Sequence, residues 1–179
     1  GARTQQASPQ MLYTMAKRYD EWPGETYEGS SARGAMKGWH KHGVAADSLW
    51  GKHTDLTEKL AADALKRPLG AYFRVNHKDL VAMHSAITET GILYATATVH
   101  QGWADVKRGD TTIAYSAKKL GGHAFAIVGY DQHGFWIQNS CHQPWGHEGF
   151  AMITYGDWLT TGTDTWVARL GAAVALPPA

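Results

Sequence analysis

The sequence is poor in cysteine, in excess charge of either sign and in long hydrophobic runs, and each shortage excludes a class of protein. It has 179 residues with one Cys, so no intrachain disulfide can form and a disulfide-stapled small domain is excluded. Lys and Arg number 17 against 16 Asp and Glu, so the net charge is +1 and no nucleic-acid partner is predicted. The apolar runs end well short of the roughly 20 residues that cross a bilayer, so no membrane partner is expected either.

The N-terminus carries no targeting pattern. The chain begins with Gly1, and no basic segment leads into an apolar stretch as in a signal peptide. We therefore expect a processed product or a fragment. The lack of disulfides favours the cytoplasm, and a secretion signal upstream of Gly1 would also be compatible with the sequence.

What the sequence does contain is enough apolar material for a packed core. Hydrophobic residues make up 44% of the chain and charged residues 18%, which excludes a disordered tail. Eight Trp, eight Tyr and 20 Gly indicate a loop-rich fold with aromatic anchors. We predict a single domain over residues 1–175, followed by a tail at 176–179.

Helical patterns come first along the chain and strand patterns second. Helices are expected to begin at Pro9 and after Ser30-Ser31, and a third is expected over Asn76–Thr90 with Asp79 near its start. A further short helix could form at Leu56–Leu65. Strands are predicted at residues 72–75, 92–100, 124–128, 135–138, 150–155 and 166–170. This order predicts an α+β fold with a helical part to about residue 70 and a mainly stranded part over 71–175.

The stretch from residue 121 to 149 is the most informative. His123 follows two glycines at the start of a strand, and a turn at Asp131–Gly134 predicts a hairpin that returns to Asn139. The two side chains then lie at the same end of that hairpin. An Asn oxygen can hold one imidazole nitrogen and aim the other at a reacting group, which is the base-and-orienter half of a catalytic triad. The alternative is a hydrogen-bonded histidine beside a turn asparagine, without catalysis.

The same stretch resembles the papain-like cysteine peptidases. That family has a Gly-His-Ala strand, a Val-Gly-Tyr turn and a strand ending in Asn-Ser-Trp-Gly-x-x-Trp-Gly-x-x-Gly. The matching residues here are Gly122-His123-Ala124, Val128-Gly129-Tyr130, Trp136-Ile137, Asn139-Ser140, Trp145-Gly146 and Gly149-Phe150. Weaker matches in the first half are Ser8-Pro9-Gln10, Tyr27-Glu28-Gly29-Ser30 and Lys41-His42-Gly43-Val44, so that the resemblance spans about residues 7–170.

The resemblance implies a two-lobed fold, with an incomplete N-terminal helical lobe and a C-terminal antiparallel β-barrel-like lobe. It also implies hydrolysis of peptide or protein substrates without a cofactor or metal. His123 would be the general base and imidazolium partner, and Asn139 its orienting residue. Gly29 and Ser30 are implied to bind the backbone of an extended peptide substrate. Ala32 and Ala124 would help to form the pocket for a substrate side chain. Gly122, which has no side chain, would let the substrate approach the strand closely.

Two departures from the family pattern concern the chemistry. In the family the catalytic Cys precedes the His by about 130–150 residues, whereas 122 residues precede His123. We therefore expect the nucleophile, and the Gln of the oxyanion hole with it, upstream of Gly1, and we predict that this chain alone is inactive. The second departure is Cys141-His142 in place of Trp-Gly, because that Trp shields the His–Asn hydrogen bond from water.

Several alternatives stay open at this point. Cys141 could be a relocated nucleophile, but it follows Asn139 by two residues and would approach from the orienter's side, so we interpret it as a spectator thiol. The chain could instead be a non-catalytic peptide-binding or scaffold relative, or an acyl or isopeptide transferase on the same fold. The ten histidines form no HExxH or Cys/His quartet, and no metal site is predicted.

Overall fold

The structure is a computed structural model that describes residues 6–22, 28–140 and 144–173. In this part of the chain the helices are α1 (Pro9–Arg18), α2 (Ala32–His42), α3 (Asp47–Trp50), α4 (Glu58–Ala64), α5 (Leu80–Thr90), α6 (Gln101–Asp105) and α7 (Tyr155–Thr161). The strands are β1 (Leu69–Val75), β2 (Leu93–His100), β3 (Lys119–Tyr130), β4 (Gly134–Gln138), β5 (Phe150–Thr154) and β6 (Gly162–Leu170). None of the described helices is long and apolar enough to cross a membrane.

The chain divides into two compact units, and the first comprises residues 1–72 and 168–179. Helices α1 and α2 begin where the sequence predicts, because Ser8 and Ser31 accept hydrogen bonds from the backbone N–H groups of Met11 and Gly34. Helix α3 was not predicted, and α4 begins two residues after the predicted start at Leu56. Helices α1 and α2 pack closely, since a Cβ at Gly38 would lie 2.9 Å from Met15. The buried core of this unit consists of Met11, Met15, Ala45, Trp50, Leu60 and Ala64. The predicted tail at 176–179 lies outside the described residues.

The second unit comprises residues 73–167 and holds most of the sheet. Helix α5 begins at Leu80, four residues after the predicted start at Asn76, because the side chain of Asp79 caps it by accepting the N–H of Ala82. It ends, as predicted, at Gly91, which is in the left-handed conformation. The alternating residues of β2 point into one core together with residues of the other strands. The fully buried large side chains of this core include Met83, Leu93, Ile113, Ile127, Phe135, Ile137, Ile153 and Trp158.

The described strands form one sheet of order β1-β6-β2-β3-β4-β5. Strand β3 pairs antiparallel with β2 and with β4. The pair β3–β4 is the hairpin that the sequence predicts around the turn at Asp131–Gly134. It begins five residues before the predicted start at Ala124, because Gly121 and Gly122 still pair with Val99 and Thr98 of β2. The predicted α+β class is confirmed by this mixture of helices and antiparallel strands.

The sheet is open, so the prediction of a barrel-like strand lobe is wrong. Closure needs the two outer strands, β1 and β5, to pair with one another. The outer edge of β5 is already occupied, since Ile113 donates its N–H to the carbonyl of Met152 at 2.9 Å. Met152 in turn donates its N–H to the carbonyl of Thr111 at 2.8 Å. A connecting segment therefore covers the edge that a closing strand would use.

Candidate active site

The β3–β4 hairpin brings His123 and Asn139 together. Ala126, three residues along β3 from His123, pairs with Gln138, and Asn139 follows at once. His123 Nε2 lies 2.9 Å from Asn139 Oδ1, and both residues are half-buried. The backbone of Asn139 is held as well, because its N–H donates to the carbonyl of Gly149 at 2.9 Å. The structure thus places the predicted pair within hydrogen-bond distance.

The chemistry of the pair fixes which imidazole nitrogen carries a proton. The amide oxygen of Asn139 can only accept, so Nε2 of His123 must be the donor. Neutral His123 therefore has its lone pair on Nδ1. Among the described residues, Nδ1 has no hydrogen-bond partner, and it is the nitrogen available to exchange a proton with a reacting group.

The turn of the hairpin is stabilised by Asp131, at the end remote from the pair. Its carboxylate accepts the N–H of His133 at 2.7 Å and the indole N–H of Trp136 at 3.0 Å. These hydrogen bonds hold the pKa of the Asp131 carboxyl below its ordinary value. The turn at Asp131–Gly134 is closed by a backbone hydrogen bond of 3.0 Å, as the sequence predicts.

Trp103 contacts His123, which the sequence did not predict. Its ring centroid lies 6.0 Å from that of the imidazole, in an edge-on arrangement with an interplanar angle of 81°. Trp103 is 5% exposed and belongs to α6, twenty residues before His123. In the sequence, Trp103 is a large aromatic residue just past the strand predicted at 92–100. That pattern indicates a core residue, and it does not indicate a contact with His123.

The predicted substrate-binding residues of β3 flank His123 and are exposed. Gly122 and Ala124 lie directly on either side of it in the strand, opposite Thr98 and Thr96 of β2. A Cβ built at Gly122 would meet no atom of the described residues within 4 Å. The surface beside His123 is therefore open at Gly122.

The other predicted substrate-binding residues belong to the first unit. Gly29 has a φ of 133°, a conformation that favours glycine, and its N–H donates to the hydroxyl of Tyr13 at 3.2 Å. Ser30 follows half-buried, and Ala32 is buried as the first residue of α2.

Some predicted features fall outside the described residues, namely Cys141, His142 and Tyr27. Within residues 6–22, 28–140 and 144–173, no three or more His, Cys, Asp or Glu side chains are grouped so that they could hold a metal ion.

Comparison with known proteins gives both a family match and structural likenesses. A family model described as papain family cysteine protease matches residues 10–167. Xylellain, a cysteine protease from Xylella fastidiosa, superposes with a TM-score of 0.78 at 20% identity, over 91% of this chain and 69% of that one. The Carica candamarcensis cysteine protease CMS1MS2, in complex with E-64, gives a TM-score of 0.67 at 16% identity, over 93% and 78%.

A third structure, the bromelain protease from Ananas comosus in complex with the E64 inhibitor, gives a TM-score of 0.67 at 16% identity, over 94% and 80%. No curated protein sequence matches the chain. At these identities the superpositions establish the fold, and they confirm the predicted papain-like α+β architecture.

Proposed function

The chain belongs to the papain family of cysteine proteases, and on this premise we propose that it supplies the His and Asn of a Cys-His-Asn peptidase. His123 is the general base and acid, and Asn139 orients it. The observation that carries the proposal is the 2.9 Å contact between His123 Nε2 and Asn139 Oδ1, inside the region that the family model matches.

The proposed mechanism uses the two nitrogens of His123 for different purposes. Nε2–H stays bound to Asn139, which keeps the ring from turning and maintains the tautomer. Nδ1 takes the proton of a cysteine thiol, and the imidazolium so formed favours the thiolate, the reactive form of the nucleophile. The thiolate attacks the peptide carbonyl, Nδ1–H protonates the leaving amine, and water then releases the acyl group with Nδ1 as base.

We propose that the thiol comes from a segment upstream of Gly1. The chain's single cysteine, Cys141, follows Asn139 by two residues in the sequence, whereas hydrolysis needs the thiol at Nδ1 of His123. The spacing between Cys and His that the family shows also points upstream. Cys141 then has no part in the reaction.

We propose that the substrate is an extended peptide that runs past His123. The exposed backbone at Gly122 supports this role, because no side chain in the described part of the chain lies within 4 Å of a Cβ built there and a peptide can hydrogen-bond to the strand. Ala124 lies on the other side of His123 in the same strand. Gly29, Ser30 and Ala32 are assigned by family resemblance to the substrate backbone and to the adjacent side-chain pocket.

The test is to locate the reactive thiol in the full-length protein. Iodoacetamide at a small fraction of the thiol concentration labels the most reactive cysteine, and peptide mapping identifies it. Cleavage of a fluorogenic peptide library is measured on the same wild-type protein and on Cys141→Ser. We expect label on a cysteine upstream of Gly1, and cleavage that is unchanged in Cys141→Ser.

Labelling of Cys141 by iodoacetamide, together with loss of cleavage in Cys141→Ser, would identify Cys141 as the nucleophile and overturn the proposal of an upstream thiol. Peptides that bind but are never cleaved would overturn peptidase chemistry in favour of a binding domain. Products joined to an added amine, in excess over hydrolysed ones, would identify acyl transfer as the main reaction.

A further inference from the structure

Two indoles, Trp103 and Trp145, lie beside the His–Asn pair and together form what we term the aromatic bracket. Their rings stack with centroids 6.0 Å apart and an interplanar angle of 29°. The indole N–H of Trp145 donates to the backbone carbonyl of Trp103 at 2.8 Å. The two residues are 42 positions apart in the sequence, so the bracket joins two distant segments.

The bracket reaches both members of the pair. Trp103 meets the ring of His123 directly, at 6.0 Å between centroids. Trp145 reaches Asn139 through backbone hydrogen bonds, since its carbonyl accepts the N–H of Gly149 at 2.9 Å. The carbonyl of Gly149 in turn accepts the N–H of Asn139 at 2.9 Å. Contacts of the bracket therefore lead to both ends of the His123–Asn139 hydrogen bond.

Trp103 is itself firmly held in α6. His100, which precedes the helix, is 1% exposed and lies with Nε2 2.9 Å from the carboxylate of Asp157. The backbone at Gly102 is so close to the next segment that a Cβ there would lie 1.7 Å from the carbonyl oxygen of Ala114. Phe125 packs against the indole with centroids 5.0 Å apart. These contacts leave the ring little freedom beside His123.

The buried indole N–H of Trp103 is unfavourable for stability. Its Nε1 is buried and has no acceptor among the residues that the structure describes. A buried donor without a partner is unfavourable, and a smaller aromatic or aliphatic residue would avoid that penalty. What Trp103 does supply is a large apolar ring edge-on to His123, whose hydrogen bond to Asn139 joins two half-buried side chains.

We propose that Trp103 is a positioning residue, which with Trp145 keeps water away from the His123–Asn139 hydrogen bond and fixes the plane of the imidazole. Water competes for both partners of a half-buried hydrogen bond, so an apolar cover strengthens it. The cover comes from α6, on the β2–β3 connection, whereas the family's shielding Trp would stand at the position of Cys141. The consequence for catalysis rests on the proposed function, but the protection of the hydrogen bond does not.

The test measures solvent exchange of the His123 Nε2 proton by nitrogen-15 NMR of the full-length protein with labelled histidine. The signal is assigned by its loss in His123→Gln. Trp103→Ala is expected to speed the exchange by roughly tenfold, the effect of letting water compete for one hydrogen bond. Trp103→Phe keeps a ring at the same place and should stay within about threefold of wild type.

Two further variants make the result specific. Trp145→Phe keeps the stacked ring but loses the hydrogen bond to the Trp103 carbonyl, so an intermediate rate is expected even where Trp103→Ala fails to fold. Trp136→Ala removes a half-buried indole from the far end of the same hairpin and should leave the exchange rate unchanged. Equal exchange rates in wild type, Trp103→Ala and Trp145→Phe would overturn the proposal, as would an equal acceleration in Trp136→Ala.

Peptide cleavage measured on the same samples separates this inference from the proposed function. If the protein cleaves, Trp103→Ala should lower kcat about tenfold and leave KM within about twofold, because the indole acts on the base rather than on the substrate. A wild type that cleaves nothing but shows the predicted exchange pattern supports the bracket and refutes the peptidase. A wild type that cleaves peptides, with equal exchange rates in all the variants, supports the peptidase and refutes the bracket.

Discussion

Replacing Asp157 with Ala should destabilise the second unit far more than an ordinary substitution. Asp157 is 3% exposed, and its carboxylate accepts hydrogen bonds from His100 Nε2 at 2.9 Å and from Thr161 Oγ1 at 3.0 Å. The Thr161 hydroxyl has a second acceptor, the carbonyl of Asp157 itself at 3.0 Å, and so loses little. His100, in contrast, already has a buried Nδ1 without a partner among the described residues and would lose its single hydrogen bond.

The size of the destabilisation follows from the His100 imidazole, which Asp157→Ala leaves buried without a hydrogen bond. A buried donor stripped of its partner costs about 1–3 kcal/mol. We therefore expect Asp157→Ala to lower the free energy of unfolding by about 3 kcal/mol. In the double variant Asp157→Ala/His100→Leu no imidazole remains to be satisfied, so the loss should shrink to about 1–2 kcal/mol.

The assay is urea unfolding of the full-length protein, followed by tryptophan fluorescence. Asp55→Ala, which removes an exposed ion-pair partner of Arg18, is the control and should change the midpoint little. A loss below about 1 kcal/mol in Asp157→Ala would refute the reasoning. A double variant less stable than the single one would refute it as well, because the orphaned imidazole would then not be the cause.

Three further predictions test other parts of the structure by urea unfolding and peptide cleavage. Gly102→Ala should cost about 3 kcal/mol through its clash with a backbone carbonyl, whereas Gly156→Ala, with open space at its Cβ, should stay within about 1 kcal/mol of wild type. Burial alone raises the pKa of Asp63, but the Ala46 N–H and the Lys66 and Arg67 cations outweigh it, so the pKa is lowered overall. That stabilisation is full above the unfolded-state pKa of about 3.9 and is lost as pH falls through the lower folded value. The unfolding free energies of wild type and Asp63→Asn should therefore converge as the pH falls from about 5 through both values, and a constant separation would contradict this. Asn139→Ala should lower kcat/KM about tenfold to hundredfold, the loss of one hydrogen bond that orients the base, and an unchanged value would contradict that role.

The helices that the sequence predicted carry their signals locally. Ser8, Ser31 and Asp79 each cap a helix through their own side chains, and Gly91 ends one in a conformation that glycine adopts most easily. Helix α7 was not predicted, although Thr154 caps it by accepting the N–H of Asp157, because Thr154 falls within the strand predicted at 150–155. It contains Gly156 and is only seven residues long, so its stability comes from burial of Trp158 rather than from propensity.

The His–Asn pair was predictable because it, too, depends on a local feature of the sequence. His123 and Asn139 are sixteen residues apart, and a single turn at Asp131–Gly134 determines that they meet. Trp103 could not be found in that way, because its contact with His123 depends on the register of β2 against β3 and on the fold of α6. The open sheet was missed because the segment covering β5, Thr111–Ile113, carries no strand pattern.

The most direct test of the central claim is the kcat/KM of His123→Ala for peptide cleavage by the full-length protein. His133→Ala, at the exposed turn of the same hairpin, is the matched control. We predict that His123→Ala loses at least about 10³-fold, in line with removal of a general base, while His133→Ala stays within about twofold of wild type. Cleavage by His123→Ala within tenfold of wild type would contradict the assignment of His123 as the catalytic base.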